Sequence, residues 1–206
     1  MKKLFLTAFL TLGCFLFSFA QNKGDVEFGV NLGFNLSNAT ADSFSTDTGT
    51  GFNVGFSTDY FFSDHWSIKG KLIYDQKGWD NGYFQGQAGV HEPDADYNLN
   101  YLTIPVTANW HFGSKRNWYL HFGPYVGFLL NAKESSLNTE VTDYYSSTDF
   151  GLAVGIGVKI PVSDKLKIFI EYDGQSGFLD IFRDNRDDVV TGARSAFNVG
   201  LNFMMK

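Results

Sequence analysis

The sequence places ionisable side chains at alternate positions of several short stretches. Lys69, Lys71 and Asp75 lie at alternate positions of one stretch, and Glu171 and Asp173 lie at alternate positions of another. Alternate side chains of a β-strand point to the same face, so each stretch gathers its charges on one side. Such charges can form ion pairs or line a narrow path for ions. The predicted polar network consists of Glu27, Asp59, Lys69, Lys71, Asp75, Lys159, Lys167, Glu171 and Asp173.

Lys77 and Asp149 have the same parity as this network, which brings the predicted set to five positive and six negative groups. These charges nearly cancel. A buried charge without a partner is strongly destabilising, so charges that face an interior are expected to be paired. We therefore favour a polar interior plugged by ion pairs and hydrogen bonds, and a narrow ion path is the alternative.

Two histidines are candidates for acid–base or metal chemistry. His111 and His121 are predicted to lie on neighbouring strands with their side chains facing inward. A hydrogen-bond network is the favoured interpretation of the pair, and metal binding is the alternative. No Ser-His-Asp set can be placed at one end of the predicted fold. The sequence therefore predicts no enzyme, no catalytic residue and no cofactor.

Two acidic stretches contain residue types that can bind metal ions. His91 lies close to Glu92, Asp94 and Asp96, and a second acidic run occupies residues 184–188. Carboxylate and imidazole groups bind divalent metals, but the second run lacks the spacing of known calcium loops. Solvated acidic loops are the favoured interpretation of both, so no metal site is predicted.

The elements that must position these residues are strands with strict two-residue periodicity. The clearest is a hairpin formed by residues 97–112 and 118–131, joined by the polar sequence GSKRN. Apolar and polar residues alternate along both arms, which is typical of a strand with one apolar and one polar face. The pattern recurs, and it predicts eight strands at about residues 25–37, 50–62, 66–79, 97–112, 118–131, 148–160, 166–175 and 195–205.

The connections between these strands alternate between long and short. This alternation is typical of outer-membrane barrels, which have long loops outside the cell and short periplasmic turns. The predicted fold is all-β, an eight-stranded antiparallel up-and-down transmembrane β-barrel. A single domain is predicted for residues 21–206. Trp66, Trp110 and Trp118 are expected at one membrane interface, and Trp79 at the other.

The apolar face of each strand is predicted to face lipid. It carries many large aromatic residues, and the interior of an eight-stranded barrel is too narrow to hold them. The glycines of the strands lie instead on the polar parity, where a narrow interior requires small side chains. A soluble, lipocalin-like barrel that binds a small ligand is the alternative, with the apolar face inside.

The first 20 residues predict a secretory signal peptide. Lys2 and Lys3 precede an apolar run that ends in a small-residue cleavage site at Ala20. A retained membrane anchor is the alternative. Without this segment the chain has 14 basic and 22 acidic residues, a net charge of −8 that argues against nucleic-acid binding. Its single cysteine, Cys14, lies in the signal peptide, so no disulfide is expected.

Several motifs resemble the PorT-like outer-membrane β-barrel family of Gram-negative bacteria. They are LIYDQKG at 72–78, YLTIPV at 101–106, GPYVG at 123–127, DFG at 149–151 and the closing strand at 198–203. The resemblance spans essentially all of the chain after the signal peptide, and YLTIPV is its most specific part. It implies an eight-stranded barrel in the outer membrane. The founding member of that family is linked to protein secretion, which is an analogy for this chain.

The chain departs from that family pattern at two places. Lys71 stands where an acidic residue is common, and the C-terminus continues past Phe203 to Met-Met-Lys. The first departure affects the predicted pairing inside the barrel. The second affects the assembly signal that is expected in the last strand.

The function expected from these patterns is a structural or interaction role in the outer membrane, in contact with its lipid. Binding residues are usually found on loops that a rigid scaffold holds. A secretion or assembly factor that binds a protein through its periplasmic turns is the alternative. The candidate loop contacts are five aromatic residues in polar surroundings, which could instead pack on the barrel rim: Tyr83, Phe84, Tyr144, Tyr145 and Phe178.

Overall fold

The structure is a computed structural model that describes residues 22–41, 45–82, 95–135, 138–183 and 188–205. The predicted signal peptide lies outside the described residues. The described part contains nine strands and one short 3-10 turn, Thr142–Tyr144. The strands are β1 Val26–Thr40, β2 Asp47–Phe61, β3 Trp66–Gly82, β4 Ala95–Phe112, β5 Trp118–Glu134, β6 Thr139–Glu140, β7 Thr148–Pro161, β8 Leu166–Gly177 and β9 Thr191–Met205.

Eight of these strands form a closed antiparallel barrel. Each strand of the wall pairs with its neighbour in the chain, β4 with β5 and β5 with β7. The first and last strands close the ring along their whole length, from Val26 opposite Met205 to Thr40 opposite Thr191. Strand β6 has only two residues and pairs with the outer end of β5. The predicted fold is confirmed.

The apolar residues lie on the outside of this barrel. Side chains alternate between exposed and buried along every long strand, as the pleat requires. Apolar groups outside and polar groups inside are the arrangement of a barrel in lipid, and the opposite of the soluble-barrel alternative. The exposed aromatic residues of the wall include Phe34, Phe52, Phe56, Phe122, Phe128, Phe150, Phe197 and Phe203.

The strands are longer at their outer ends than the sequence pattern indicates. Strand β3 continues to Gly82, and β9 begins at Thr191, four residues before its predicted start. The cause is pairing with a neighbour, because β9 follows β1 as far as Thr40. Arg194, which directly precedes the predicted start of the last strand, therefore lies in β9.

The tryptophans occupy two different environments. Trp66, Trp110 and Trp118 are exposed beside the short turns, as an aromatic girdle requires. The prediction that Trp79 lies at the opposite membrane interface is wrong, because its side chain is buried inside the outer mouth. Trp79 has the parity of the inward-facing residues of β3, whereas Trp66 has the outward parity.

Helices contribute little to this fold. Within the described ranges, no helix is long and apolar enough to cross a membrane.

Candidate functional site

All nine residues of the predicted polar network lie inside the barrel. None is more than 6% exposed. They come from strands β1, β2, β3, β7 and β8, and every one of them occupies the inward parity of its strand. The barrel therefore gathers charges that are up to 146 positions apart in the sequence, from Glu27 to Asp173.

The lower part of the lumen, toward the short turns, is organised around Glu27. Both Lys159 and Lys167 form ion pairs with this carboxylate. Lys159 also pairs with Asp59 at 3.1 Å, and Asn109 donates to the same Asp59 carboxylate at 3.4 Å. Two lysines and two acids therefore satisfy one another in a region that excludes solvent.

Glu171 is the centre of the middle part of the lumen. It binds Lys71 through an ion pair and lies 3.6 Å from Lys69. The Tyr119 hydroxyl donates to its second oxygen at 2.8 Å. Lys71 stands where the PorT-like pattern commonly has an acid, and it also lies 3.6 Å from Asp173. This lysine therefore links the two acids of β8.

Arg194 completes the network, and the sequence interpretation missed it. Its Nε lies 3.2 Å from Asp75 and its terminal nitrogen lies 2.9 Å from Asp173. With Lys77 and Asp149, the ion-pair network contains six acids and six bases, and a further buried acid, Glu134, lies at the outer end of β5. The parity of β9 could have identified Arg194, since it has the same parity as Asn198 and Asn202, which also face inward.

Another pair lies near the outer end. Lys77 binds Asp149 at 3.0 Å, and the Tyr125 hydroxyl donates to the same carboxylate at 3.0 Å. The Lys77 ammonium lies over the rings of Tyr101 and Tyr125, at 5.0 and 4.9 Å from their centroids. Cation–π contacts of this kind stabilise a lysine that has left water.

A belt of four asparagines fills the level between these pairs. Asn31 donates to Asn53 at 2.8 Å, and Asn53 donates in turn to Asn35 at 2.8 Å and to Asn198 at 3.0 Å. Asn35 then donates to Asp75 at 2.9 Å, which connects the belt to the charges. An amide both donates and accepts, so the four asparagines can bind one another without adding a net charge.

The glycines of the inner wall make room for large rings. A Cβ atom at Gly157 would collide with the Tyr119 ring, and one at Gly200 would collide with the Phe169 ring. Small residues opposite large ones allow an eight-stranded lumen to be filled.

The two predicted inward histidines lie in different contacts. His111 accepts from or donates to Ser67 at 3.0 Å and packs on Phe61, whereas Nε2 of His121 lies 3.7 Å from Glu171. Within the described residues, His121, Glu171 and Asp173 are the set whose geometry could hold a metal ion, with one atom of each within 4.8 Å of the others. Lysines and Arg194 already bind both carboxylates, so this arrangement favours ion pairs.

The acidic loop sets are only partly described. His91, Glu92, Asp94 and residues 184–187 lie outside the described residues. Asp188 is exposed at the end of the second run. The metal predictions for these loops stay predictions.

An aromatic cluster lies across the outer mouth of the barrel. Its loop residues come from loop 3, residues 135–147, and loop 4, residues 178–190. Tyr145 of loop 3 stacks on Phe182 of loop 4 with 5.2 Å between ring centroids, and both rings contact Trp79. We use the name outer lid for the described part of loops 3 and 4, which covers the mouth of the barrel.

Backbone hydrogen bonds join the two loops of the outer lid. The Ser146 amide donates to the Ile181 carbonyl at 2.9 Å, and the Arg183 amide donates to the Tyr144 carbonyl at 3.0 Å. Within loop 4, the Ile181 amide donates to the Val190 carbonyl at 2.9 Å. Residues 144–146 of loop 3, residues 181–183 of loop 4 and the end of loop 4 at Val190 therefore lie side by side.

The predicted loop contacts divide into three groups. Tyr83 and Phe84 lie outside the described residues. Tyr144 and Phe178 are exposed, at 57% and 53%. Tyr145 is fully buried at 0%, and this burial raises the pKa of its phenol well above the ordinary value. Its side chain is packed in the interior of the outer lid. For Tyr145 the structure therefore agrees with the alternative interpretation, in which the loop aromatics pack on the barrel rim.

Comparison with known proteins identifies the same architecture. Residues 19–183 match the family model described as "Outer membrane protein beta-barrel domain". The search of curated proteins found no matching sequence. The match is to this broad family, and the narrower PorT-like resemblance stays a prediction.

Solved structures of outer-membrane proteins resemble this fold. The outer membrane protein OprG from Pseudomonas aeruginosa has a TM-score of 0.58 at 12% identity, covering 90% of this chain and 98% of that chain. Neisserial surface protein A has a TM-score of 0.50 at 16% identity, covering 85% and 96%. AlkL, solved in lipid bilayers, has a TM-score of 0.50 at 12% identity, covering 92% and 94%. At these identities the likeness shows the fold alone.

Proposed function

Because this chain belongs to the Outer membrane protein beta-barrel domain family, we propose that it is an outer-membrane scaffold with a plugged lumen and interacting outward loops. The protein resides in the outer membrane, where its apolar wall faces lipid. The proposal concerns the two features that the fold leaves open. These are the permeability of the lumen and the role of the loops.

The observation that carries the proposal is the complete pairing of charge inside the barrel. Six acids and six bases form the ion-pair network of the lumen, which extends from Glu27 near the turns to Asp149 near the outer mouth. Moving an ion along this axis would require separating pairs that have no water to replace their partners.

Apolar residues at both ends support the same conclusion. Phe61 and Met204 are buried near the short turns, and the outer lid covers the other end. A charged network between two apolar layers is poorly suited to conduction and well suited to rigidity. A rigid barrel holds its loops in fixed positions, which favours binding through them.

Conductance tests the plugged lumen. The purified protein, inserted in a planar bilayer beside a general porin as positive control, is expected to show no steady conductance. A reproducible open channel from the folded barrel would contradict the proposal.

We assign no catalytic role to the buried polar groups. Ser67 and His111 are in contact at 3.0 Å, the distance of a nucleophile and its base. Among the described residues, the second nitrogen of His111 has no hydrogen-bond partner to orient it. Ser67 and His111 are both fully buried, and the His111 ring packs on Phe61. A hydrolytic pair needs an oriented base and access for the substrate.

The PorT-like resemblance keeps a secretion or assembly role as the alternative. Arg116 in the second short turn donates to the Asp64 carbonyl at 2.9 Å and lies 3.3 Å from its carboxylate. Two turns therefore form one joined surface, which favours contact with a periplasmic protein. An export defect that is caused by deletion and rescued by the wild-type chain, but not by Arg116→Ala, would favour this alternative.

A further inference from the structure

We propose that the outer lid is a docking surface for a basic polypeptide segment. This inference rests on the proposed function, in which the outward loops carry the interactions. It adds the class of partner and the side chains that contact it. Three independent features support it: the charge of the loops, the arrangement of the exposed side chains, and the packing beneath them.

Charge is distributed unevenly along the axis of the barrel. The four long loops, residues 41–46, 83–94, 135–147 and 178–190, contain nine acidic residues and two arginines. The three short turns, residues 62–65, 113–117 and 162–165, contain two acidic and three basic residues, and the ion-pair network of the lumen contains equal numbers of acids and bases. The long loops therefore account for most of the net negative charge of the protein. A field of one sign attracts partners of the opposite charge and repels others.

Two of the exposed apolar side chains of the outer lid, Tyr144 and Val189, lie next to acidic residues. Tyr144 and Val189 are each 57% exposed, while the next residues in the chain, Tyr145 and Val190, are buried beneath them. Each of the adjacent pairs Tyr144–Tyr145 and Val189–Val190 therefore has one side chain packed in the outer lid and one exposed on its surface. Exposed acids flank both displayed residues: Asp143 precedes Tyr144, and Asp188 precedes Val189.

The packing beneath these residues holds them in place. Tyr145 and Phe182 stack against each other, and the Arg183 amide binds the Tyr144 carbonyl at 3.0 Å. A partner therefore meets a surface that is already ordered, and it loses less entropy on binding than it would with a free loop. Tyrosine is also among the residues that most often dominate the binding energy of an interface.

Charge complementarity selects the occupant. The exposed carboxylates of Asp143 and Asp188 attract lysine or arginine side chains of a partner, while an apolar side chain of the same segment packs on Tyr144 and Val189. An acidic peptide, a nucleic acid or an anionic lipid headgroup would meet repulsion at this surface. The surface therefore fits an extended, basic segment of a protein outside the cell.

The test uses the full chain in vesicles of zwitterionic phosphatidylcholine. The probe is a short labelled peptide of alternating lysine and serine with a central leucine, and the comparison peptide has glutamate in place of lysine. The D143N/D188N variant removes two charges from the outer lid. The D64N/D164N variant removes two charges from the short turns and is the matched control.

We expect the lysine peptide to bind and the glutamate peptide not to bind. The D143N/D188N variant should weaken binding by about tenfold, and the control variant by less than about twofold. Tyr144→Ser should weaken binding without changing its salt dependence. Equal binding of both peptides, or equal loss in both double variants, would overturn the inference.

The same measurements separate this inference from the proposed function. If the glutamate peptide binds instead, and Tyr144→Ser abolishes that binding, the loops interact but the assigned partner is wrong. If the barrel conducts ions in a planar bilayer, the plugged lumen is wrong whatever the peptides do. Folding of each variant is checked by the shift of its gel mobility on heating, so a misfolded variant is not counted.

Discussion

The lumen and the outer lid solve the same problem, filling a narrow barrel, with opposite chemistry. The lumen is filled with charged and amide side chains that come from the strands. The outer lid packs on an apolar cluster whose aromatic side chains come from strands β3 and β4 and from loops 3 and 4: Trp79, Tyr97, Tyr101, Tyr145 and Phe182. Ion pairs and hydrogen bonds stabilise the lumen, whereas the packing of aromatic rings stabilises the outer lid.

This difference follows from what holds each region in place. In the lumen, the hydrogen bonds of the wall fix the register, so each lysine meets its acid at a set height. In the lid, two loops are joined by a few backbone hydrogen bonds and by the stacking of Tyr145 on Phe182. Regions with few such bonds open more easily than a closed sheet. The lumen should therefore unfold with the barrel, and the lid should open separately.

The largest expected effect comes from breaking the lumen pairing at Glu27. Glu27→Gln leaves Lys159 and Lys167 buried with one carboxylate fewer. Removing one partner of a buried ion pair costs about 3–5 kcal/mol, because the remaining charge has no water around it. The free energy of unfolding in urea, measured in vesicles by gel mobility, should fall by about that amount.

A matched control for Glu27→Gln removes an acid whose pair is exposed. Asp64→Asn loses the pair with Arg116, but the Asp64 carboxylate is largely in solvent. Exposed pairs contribute about 0–1 kcal/mol, so this variant should resemble the wild type. Similar losses in both variants would show that burial does not govern the cost of charge removal in this barrel.

A smaller effect is expected from overfilling the lumen. Gly157→Ala places a methyl group against the Tyr119 ring, and that hydroxyl is bound to Glu171. Extra methyl groups in a filled interior cost about 1–3 kcal/mol. Gly70→Ala is the control, because its methyl group would meet no atom within 4 Å. If Gly157→Ala unfolds at the same urea concentration as Gly70→Ala, the lumen is loosely packed.

The sequence predicted the lumen better than the lid because the two regions follow different rules. Two-residue periodicity assigns each strand residue to a face, so all nine network residues could be placed inside from the sequence alone. Arg194 was missed only because the start of β9 depends on its pairing with β1. No such rule applies to a loop. The adjacent residues Tyr144 and Tyr145 look alike in sequence, and only the contacts with Trp79 and Phe182 separate the exposed one from the buried one.

The smallest effect on barrel stability is expected from opening the outer lid. Tyr145→Ala removes the ring that packs between Trp79 and Phe182, whereas Tyr144→Ala removes an exposed ring from the same turn and is the control. If the lid opens separately, Tyr145→Ala should change the free energy of unfolding of the barrel by less than about 1 kcal/mol. Protease cleavage within loops 3 and 4 of intact vesicles should become faster for Tyr145→Ala and stay unchanged for Tyr144→Ala. If Tyr145→Ala instead destabilised the barrel as much as Glu27→Gln does, the lid and the lumen would form one cooperative unit, and the loops would be part of the fold that holds the charges.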